Sequence, residues 1–337
     1  MDEITGTLRI LAAVLLAVLG AALRRMLRGP TVPGWDWETE LKRAALRAFA
    51  LASAHPANRA ARRRLEARFD PRLPKDLRGN VEVHRERLGG RPAERHVRVV
   101  GDLADRATIL YLHGGGYVTG SPATHRRFVA RLVWETHTSA FVPDYRLAPT
   151  HRFPAAVDDA EAAYRDLIGR SVAPEEIVVA GDSAGGGLAV ALLLRIRDED
   201  LPPPAGAILF SPYTDLEHGG STIRRNHRFD YLPLVEPIRP NLEYLGDADP
   251  HHPLASPIHA DLTGLPPLLV FAGGREMILD DSVRLVERAR DAAVDVTFHV
   301  EDDMFHVWPA LLPRHPATAR TLAVCAEWVE QVVQKSS

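Results

Sequence analysis

One serine lies in a run of residues that is typical of a catalytic nucleophile. Ser183 is the centre of residues 180–186 (Ala-Gly-Asp-Ser-Ala-Gly-Gly), which directly follow the apolar run 177–179. This pattern predicts a strand, a sharp turn at the serine and a helix that begins near Leu188. The glycines permit the turn because they have no Cβ atoms to clash. A serine hydroxyl presented in this way attacks a carbonyl carbon once a base accepts its proton.

A second glycine-rich motif lies upstream, where the predicted strand 108–112 is followed by His113 and three glycines. Backbone amides in such a loop can face the oxygen that becomes negative during acyl transfer, and each donor contributes roughly 3 kcal/mol. We predict that this oxyanion hole consists of the amides of Gly114, Gly115, Gly116 and Ala184. The alternative is a phosphate-binding loop, but its glycine spacing differs and the chain has no Gly-Lys-Ser/Thr run.

Five ordered motifs resemble those of the hormone-sensitive-lipase-like (family IV) serine esterases of the α/β-hydrolase superfamily. The motifs are His-Gly-Gly-Gly at 113–116, Asp-Tyr-Arg-Leu-Ala-Pro at 144–149, Phe-Pro-Ala-Ala-Val-Asp-Asp at 153–159, the serine motif at 181–186 and Ser-Pro-Tyr-Thr-Asp-Leu at 211–216. The resemblance implies an α/β-hydrolase fold, with a mostly parallel central sheet of about eight strands, helices on both faces and a helical cap. It also implies a serine carboxylic-ester hydrolase that acts on small or short-to-medium acyl esters through an acyl-enzyme intermediate.

The acid that orients the base is expected after a late strand, because the order in α/β-hydrolases is serine, acid, histidine. Residues 267–274 predict that strand and its exit turn. Members of the family have Asp-Pro-Leu next, whereas this chain has Glu276 followed by Met and Ile. Alignment on Asp280 and Asp281 places Glu276 in the catalytic position, with Asp280 as the alternative. We expect the longer glutamate side chain to reach the imidazole as well.

The base is expected in the loop after the last strand. Residues 294–300 alternate as that strand, and the following loop contains His306. His299 lies within the strand and His315 at the start of the final helix, so we interpret both as surface residues. His306 is therefore the predicted base.

Three other functions remain open at this stage. A lactone hydrolase or a deacetylase would use the same residues. A ligand-binding member of the fold, similar to the gibberellin receptors, loses the catalytic histidine. Because Ser183 and His306 are both present, the sequence favours an enzyme.

The composition limits the kinds of partner and cofactor that we expect the chain to bind. The 337 residues include 41 basic and 44 acidic ones, so there is no bulk charge that would favour nucleic acid. The lone cysteine, Cys325, excludes an intramolecular disulfide. No familiar zinc motif is present, and we expect no cofactor and no metal. We expect a small-molecule ester substrate, and a homodimer remains open.

The N-terminal segment 1–28 differs from the rest of the chain. Residues 10–23 are continuously apolar and would span about 21 Å as a helix, short of the ~30 Å hydrocarbon core. The stretch 8–27 would reach further but includes arginines. The segment is therefore a membrane anchor, a cap helix near the active site or an uncleaved signal-like segment, and the first two are favoured. The arginines that follow it predict a cytoplasmic catalytic domain.

The remaining chain divides into three predicted parts. Residues 29–80 are a helical cap region, and residues 81–337 form the catalytic domain. A cap insertion interrupts that domain at about 214–258, where proline, histidine and aspartate are frequent.

Overall fold

One eight-stranded sheet forms the centre of the molecule in the computed structural model, which describes residues 2–54, 58, 61, 62, 65, 71–99, 107–234 and 243–336. The strands are β1 Val81–Leu88, β2 Arg91–Arg98, β3 Thr108–Leu112, β4 Ser139–Pro143, β5 Ile177–Asp182, β6 Gly206–Phe210, β7 Leu268–Gly273 and β8 Val296–Glu301. Their order is β1-β2-β4-β3-β5-β6-β7-β8. Strands β1, β2 and β4 pair antiparallel, and the remaining pairs are parallel. The predicted fold class is confirmed.

Helices cover both faces of this sheet. They are α1 Asp2–Arg28, α2 Trp37–Ala54, α3 Pro122–Thr136, α4 Ala155–Gly169, α5 Ala184–Asp198, α6 Thr222–Asn226, α7 Leu279–Asp291, α8 Trp308–Leu311 and α9 Pro316–Ser336. Residues of α4, α5 and α7 belong to the apolar core on one face. Residues of α3 and α9 belong to the core on the other.

The sequence produces two cores because strand side chains alternate between the faces. In β5, Val179 packs into the first core, whereas Val178 and Ala180 pack into the second. Every residue of β5 is buried. Strands covered on both faces are typical of parallel sheets, and loops at the carboxyl ends of β5, β6, β7 and β8 can then converge on one site.

Side chains near the first turn mark the start of two helices. Helix α3 begins at Pro122, where Ser121 and Thr124 form a capping box. Helix α7 begins at Leu279, so the acidic pair at 280–281 lies in its first turn.

The N-terminal helices pack against each other. Glu40 of α2 is buried and accepts hydrogen bonds from the amide of Thr31 (2.9 Å) and from the guanidinium groups of Arg24 and Arg25. The opposite face of α1 exposes large aliphatic side chains that are each 54–74% accessible: Leu8, Leu11, Leu15, Leu16, Leu19, Leu23, Met26 and Leu27. By length and composition, α1 could cross a membrane.

Contacts from α2 and the preceding loop reach the rest of the molecule. Arg47 Nη1 donates to the carbonyl oxygens of His227 (2.7 Å), Asp230 (3.0 Å) and Leu232 (3.1 Å). Trp35 donates its indole N–H to the carbonyl of Asp303. The predicted helical residues 55–57, 59, 60, 63, 64 and 66–70 lie outside the described residues, as do residues 235–242 of the predicted cap insertion.

Candidate active site

Ser183 lies between β5 and α5 in a backbone conformation that side chains rarely adopt. Its φ is 51° and its ψ is −122°. The amide of Ser183 donates to the carbonyl of Phe210 (2.9 Å), and the amide of Tyr213 donates to the carbonyl of Ser183 (2.9 Å). These bonds hold the turn at the end of β6, and the serine remains half-exposed.

Glycines make this turn possible by allowing backbone segments to touch. A Cβ atom on Gly185 would overlap the carbonyl oxygen of Leu112 and lie 2.7 Å from the carbonyl carbon of His113. A Cβ on Gly181 would overlap the carbonyl of Gly185. The serine turn is therefore packed directly against the glycine loop that follows β3.

Helix α5 begins at Ala184, so the prediction of a start near Leu188 is wrong. Three glycines disfavour a helix by propensity, but here they allow close packing: Gly185 contacts the end of β3, and Gly186 and Gly187 contact the residues that follow β6. Because the first amides of a helix have no partner in a preceding turn, the Ala184 amide is a donor beside the serine. The earlier start thus places the positive end of the helix at Ser183.

The glycine loop differs in one respect from its prediction. The amide of Gly114 donates to Asp182 Oδ1 at 3.0 Å, so it cannot also bind an oxyanion. Gly115 and Gly116 have φ values of 125° and 62°, in the region that favours glycine. Their amides donate no hydrogen bond to any of the described residues. The predicted oxyanion set is thereby reduced to Gly115, Gly116 and Ala184.

Asp182, to which the sequence analysis gave no role, connects the two motifs. Its carboxylate is buried and accepts hydrogen bonds from the hydroxyl of Tyr111 (2.7 Å) and from Gly114, and His125 Nε2 lies 3.3 Å away. Burial raises the pKa of Asp182, but the charge and hydrogen bond of His125 and the hydrogen bonds from Tyr111 and Gly114 outweigh it and lower the pKa. An ionised Asp182 thus fixes Gly114 relative to the nucleophile.

His113, the first residue of the glycine-rich motif, is a buried and neutral histidine. Its Nδ1 lies 2.9 Å from the carbonyl oxygen of Gly114, and its ring stacks on Tyr145 at 4.2 Å. Burial lowers the pKa of His113 to about 3. His113 therefore shapes the glycine loop rather than carrying a charge to the substrate.

The structure brings His306 and Glu276 together. Both side chains are fully buried, and His306 Nδ1 lies 3.4 Å from Glu276 Oε2. Burial lowers the pKa of His306, but the hydrogen bond and charge of Glu276 raise it above its usual value. His306 Nε2 is buried and has no hydrogen-bond partner among the described residues. A ring that donates from Nδ1 to a carboxylate keeps an Nε2 lone pair that can accept a proton.

The loop that carries His306 is attached to the same strand end as Ser183. The amide of Val307 donates to the hydroxyl of Ser211 (3.1 Å), and Ser211 directly follows the residue that binds the Ser183 amide. The negative charge of Asp182, adjacent to Ser183, also raises the pKa of His306. The segments that carry His306 and Ser183 are therefore both attached to the carboxyl end of β6.

Side chains from the predicted cap insertion support the acid. Asn226 Nδ2 donates to the carbonyl of Glu276 at 3.0 Å, and the amide of Met277 donates to Asp230 Oδ2 at 2.6 Å. Burial raises the pKa of Asp230 to about 6, and the charge of Glu276 also raises it. Tyr231 places its ring 6.0 Å from that of His306. The sequence analysis missed Asn226 and Asp230 because no motif marks them.

The other acid considered from the sequence, Asp280, and the other two histidines, His299 and His315, make different contacts. Asp280 accepts hydrogen bonds from the hydroxyl of Ser221 (2.9 Å) and the amide of Thr222 (3.1 Å), so it holds the predicted cap insertion. His299 is exposed on β8 and stacks on a core phenylalanine. His315 is half-buried, and its Nδ1 accepts from the amide of Ala317 at the start of α9.

Comparison with known proteins agrees with this arrangement. Residues 109–310 match a family that has the α/β-hydrolase fold. An acetyl-hydrolase of Streptomyces hygroscopicus is 43% identical over 226 residues, which are 67% of this chain and 76% of that protein. An esterase of Acinetobacter venetianus is 34% identical over 250 residues, 74% of this chain and 82% of that protein.

Solved structures show that the similarity extends over most of the fold. The crystal structure of an esterase from the bacterial hormone-sensitive lipase family matches with a TM-score of 0.81 and 36% identity, over 89% of this chain and 99% of that one. The chain belongs to the hormone-sensitive-lipase-like esterases of the α/β-hydrolase family. It is a serine ester hydrolase of small-molecule esters, as the sequence resemblance implied.

Proposed function

We propose that Ser183, His306 and Glu276 are the catalytic residues of this esterase. The observation that carries the proposal is the buried pairing of His306 Nδ1 with Glu276 Oε2, which leaves Nε2 without a hydrogen-bond partner among the described residues. Nε2 accepts the proton of Ser183 while Oγ attacks the ester carbonyl carbon. His306 then returns that proton to the leaving alcohol. Water, deprotonated by the same nitrogen, hydrolyses the acyl-enzyme and releases the acid.

The oxyanion formed in each step is assigned to the amides of Gly115, Gly116 and Ala184. The position of these amides supports the assignment, because the loop after β3 and the first turn of α5 pack against each other through Gly185. Asp182 acts as a positioning residue that fixes Gly114. The positive end of α5 also favours the developing charge.

A short acyl group fits this site best. His306 and Glu276 are fully buried, and Tyr231 approaches the imidazole from the predicted cap insertion. EstE5, a solved neighbour with a TM-score of 0.74 and 34% identity, was soaked with p-nitrophenyl butyrate. The 43% identical relative is named an acetyl-hydrolase. Acetyl esters are therefore the second candidate substrate class, handled by the same residues.

Covalent labelling tests the nucleophile. A fluorophosphonate should label Ser183 alone, and Ser183→Ala should lower kcat on p-nitrophenyl butyrate by on the order of 10⁶-fold without changing the fold. Ser282→Ala is the matched control, because it also loses one hydroxyl, and the buried Ser282 hydroxyl on α7 has no hydrogen-bond partner among the described residues. Labelling at another residue, or turnover by Ser183→Ala, would contradict the assignment. Esters from acetyl to dodecanoyl then rank the acyl groups.

The cap is the second part of the proposal. We assign it to residues 29–80 and to the insertion at about 214–258, with residues 81–337 as the catalytic domain. Arg47 supports this division, because its contacts with the carbonyl groups of 227, 230 and 232 join the two cap segments.

Helix α1 is proposed to attach the enzyme to a membrane surface on the cytoplasmic side. Its exposed aliphatic face is continuous, whereas its other face packs on α2 through Glu40. A helix lying in the interface keeps those contacts, and a spanning helix does not. Arg24 and Arg25 pair with the buried Glu40, so we do not assign them to lipid head groups. Arg9 and Arg28 are exposed and take that role.

Flotation with liposomes tests this attachment. The full chain should float with vesicles that contain anionic lipid, and the double variant Leu16→Glu/Leu19→Glu should not. Val300→Glu is the control, since Val300 is an exposed apolar residue on β8. A stable dimer in buffer that dissociates in the double variant, without flotation of the full chain, would assign the face to a second copy instead.

A further inference from the structure

Three metal-ligating side chains converge at the base of the predicted cap insertion, away from the catalytic residues. Glu217, His251 and His259 each place one ligand atom within 4.8 Å of the others. Glu217 lies near the start of the insertion, and the two histidines lie near its end. The serine hydrolase mechanism uses none of them.

The distances suit a small tetrahedral ion. His251 Nε2 lies 2.8 Å and His259 Nε2 lies 3.8 Å from Glu217 Oε2. Zn²⁺ binds imidazole nitrogen and carboxylate oxygen at about 2.0–2.2 Å, so ligand atoms of a tetrahedral ion are roughly 3.3 Å apart. The observed separations bracket that value, and small side-chain rotations would equalise them.

Asp249 lies behind His251 on the side away from Glu217. Asp249 Oδ1 is 3.3 Å from His251 Nδ1, so Nδ1 can donate to this carboxylate while Nε2 faces the position proposed for the ion. A carboxylate behind a ligating histidine is the usual outer-shell arrangement of zinc sites.

Backbone contacts hold the ligands in place before any ion binds. The amide of Leu216 donates to the hydroxyl of Ser256 (3.0 Å), and the amide of Ile258 donates to the carbonyl of Thr214 (3.2 Å). These two bonds connect the residues next to Glu217 with those next to His259. The site is therefore largely preorganised, which lowers the cost of binding.

We propose that Glu217, His251 and His259 form a binding site for Zn²⁺ or a similar divalent transition metal. Two imidazoles and one carboxylate are the ligand set of a borderline-soft ion, and Ca²⁺ and Mg²⁺ prefer oxygen ligands. Solvent completes the coordination because the ligands lie at the surface. The bound ion joins residue 217 to residues 251 and 259, so it closes the insertion at its base and stabilises the folded chain.

Zinc titration of the full-length, untagged protein tests the proposal. After removal of metal by chelation, a competition assay against a chromophoric chelator should find one high-affinity Zn²⁺ per chain. Glu217→Gln and His251→Ala should each weaken binding at least tenfold, and Asp249→Asn should weaken it by about tenfold. At roughly a hundredfold excess over Kd, Zn²⁺ should raise the Tm of the parent by about 5 °C, but not that of Glu217→Gln.

The matched control is His84→Ala. His84 Nε2 lies 3.2 Å from Glu82 on β1, and this histidine–carboxylate pair has no third ligand among the residues that the structure describes. This variant should bind zinc as the parent does. The proposal is overturned if the parent binds no stoichiometric zinc, or if His84→Ala weakens binding as much as His251→Ala. Equal Tm values of the metal-free variants and the metal-free parent verify that each variant is folded.

Discussion

Ser183 and Glu276 are held in place by different kinds of contact. The serine turn depends on the backbone: Gly185 packs against the chain after β3, and main-chain hydrogen bonds fix both sides of Ser183. The Glu276 turn depends on side chains from the predicted cap insertion, since Asn226 binds its carbonyl and Asp230 binds the next amide. Ser183 is thus positioned by packing and hydrogen bonds of the backbone, and Glu276 by side chains of the predicted cap insertion.

This difference affects how well the Ser183 turn and the Glu276 turn tolerate substitutions. A backbone contact leaves no room for a side chain, so the serine turn accepts very few substitutions. Side-chain contacts can be exchanged if the new partners satisfy the same groups. The acid position has indeed departed from the family pattern, because this chain has glutamate where the resemblance implies aspartate.

Removing the charge of the acid should affect activity more than any change to the residues that position the two turns. Glu276→Gln should lower kcat by up to about 10⁴-fold, because His306 loses the partner that fixes its tautomer and charge. The glutamate also raises the pKa of His306. His306 must be neutral to act as base, so the acidic limb of the kcat/KM profile should move to lower pH in the variant. Stopped assays across pH 4–9 measure both effects.

Two variants sharpen this test of the acid side. Glu276→Asp keeps the charge but shortens the side chain, so it should retain partial activity. Asp280→Asn should be much milder than Glu276→Gln, because Asp280 binds Ser221 and Thr222 instead of the imidazole. If Asp280→Asn were nearly inactive and Glu276→Gln remained active, Asp280 rather than Glu276 would be the catalytic acid.

Adding a methyl group to Gly185, in the serine turn, should have the next largest effect on activity. Gly185→Ala inserts a Cβ atom 2.7 Å from the carbonyl carbon of His113, so the serine turn and the glycine loop must move apart. We expect kcat to fall roughly 100-fold and the free energy of unfolding to fall by about 1–3 kcal/mol. Gly169→Ala is the control, because no heavy atom lies within 4 Å of its Cβ. Similar losses in both variants would show that the close contact is not the cause.

The smallest effect on activity is expected from Asp230→Asn, which should act mainly on stability. The pKa of Asp230 rises to about 6 through burial, so the folded state prefers the protonated carboxyl. The stability that this preference provides is complete below about pH 4 and is lost as the pH rises through 6, a change on the order of 3 kcal/mol. Relative to the parent, Asp230→Asn should therefore be more stable at pH 8 than at pH 4.5. Urea unfolding at both pH values measures this difference, and a constant difference would contradict it.

The sequence contains the features that define the fold and the nucleophile side of the site. Alternating strands and helices, the Gly-x-Ser-x-Gly turn and the triple glycine are local patterns, and the strands lie within a few residues of their predicted positions. The sequence pattern misplaces the start of α5 because three glycines have low helix propensity, whereas in the fold they pack closely against the end of β3 and the residues after β6. The catalytic roles of Ser183, Glu276 and His306 remain predictions.

Other parts of the site depend on contacts between distant residues. The occupied amide of Gly114 could not be foreseen without the position of Asp182, which follows from the pairing of β3 with β5. Asp230 binds an amide 47 positions further along the chain. Glu217, His251 and His259 likewise match no spacing pattern, because only the folded insertion brings them together.

The direct contact between Gly185 and the chain after β3 also has an evolutionary consequence. It makes the nucleophile and the proposed oxyanion donors one rigid unit, so changes elsewhere leave the reacting geometry intact. Residues around Tyr231 border the imidazole but take no part in that contact. Descendants of one ancestor could therefore diverge in the acyl groups they accept while their chemistry stayed the same. Laboratory libraries aimed at a new substrate should accordingly vary residues 231–234. They should keep Asn226 and Asp230, which hold the Glu276 turn, and leave residues 113–116 and 181–186 unchanged.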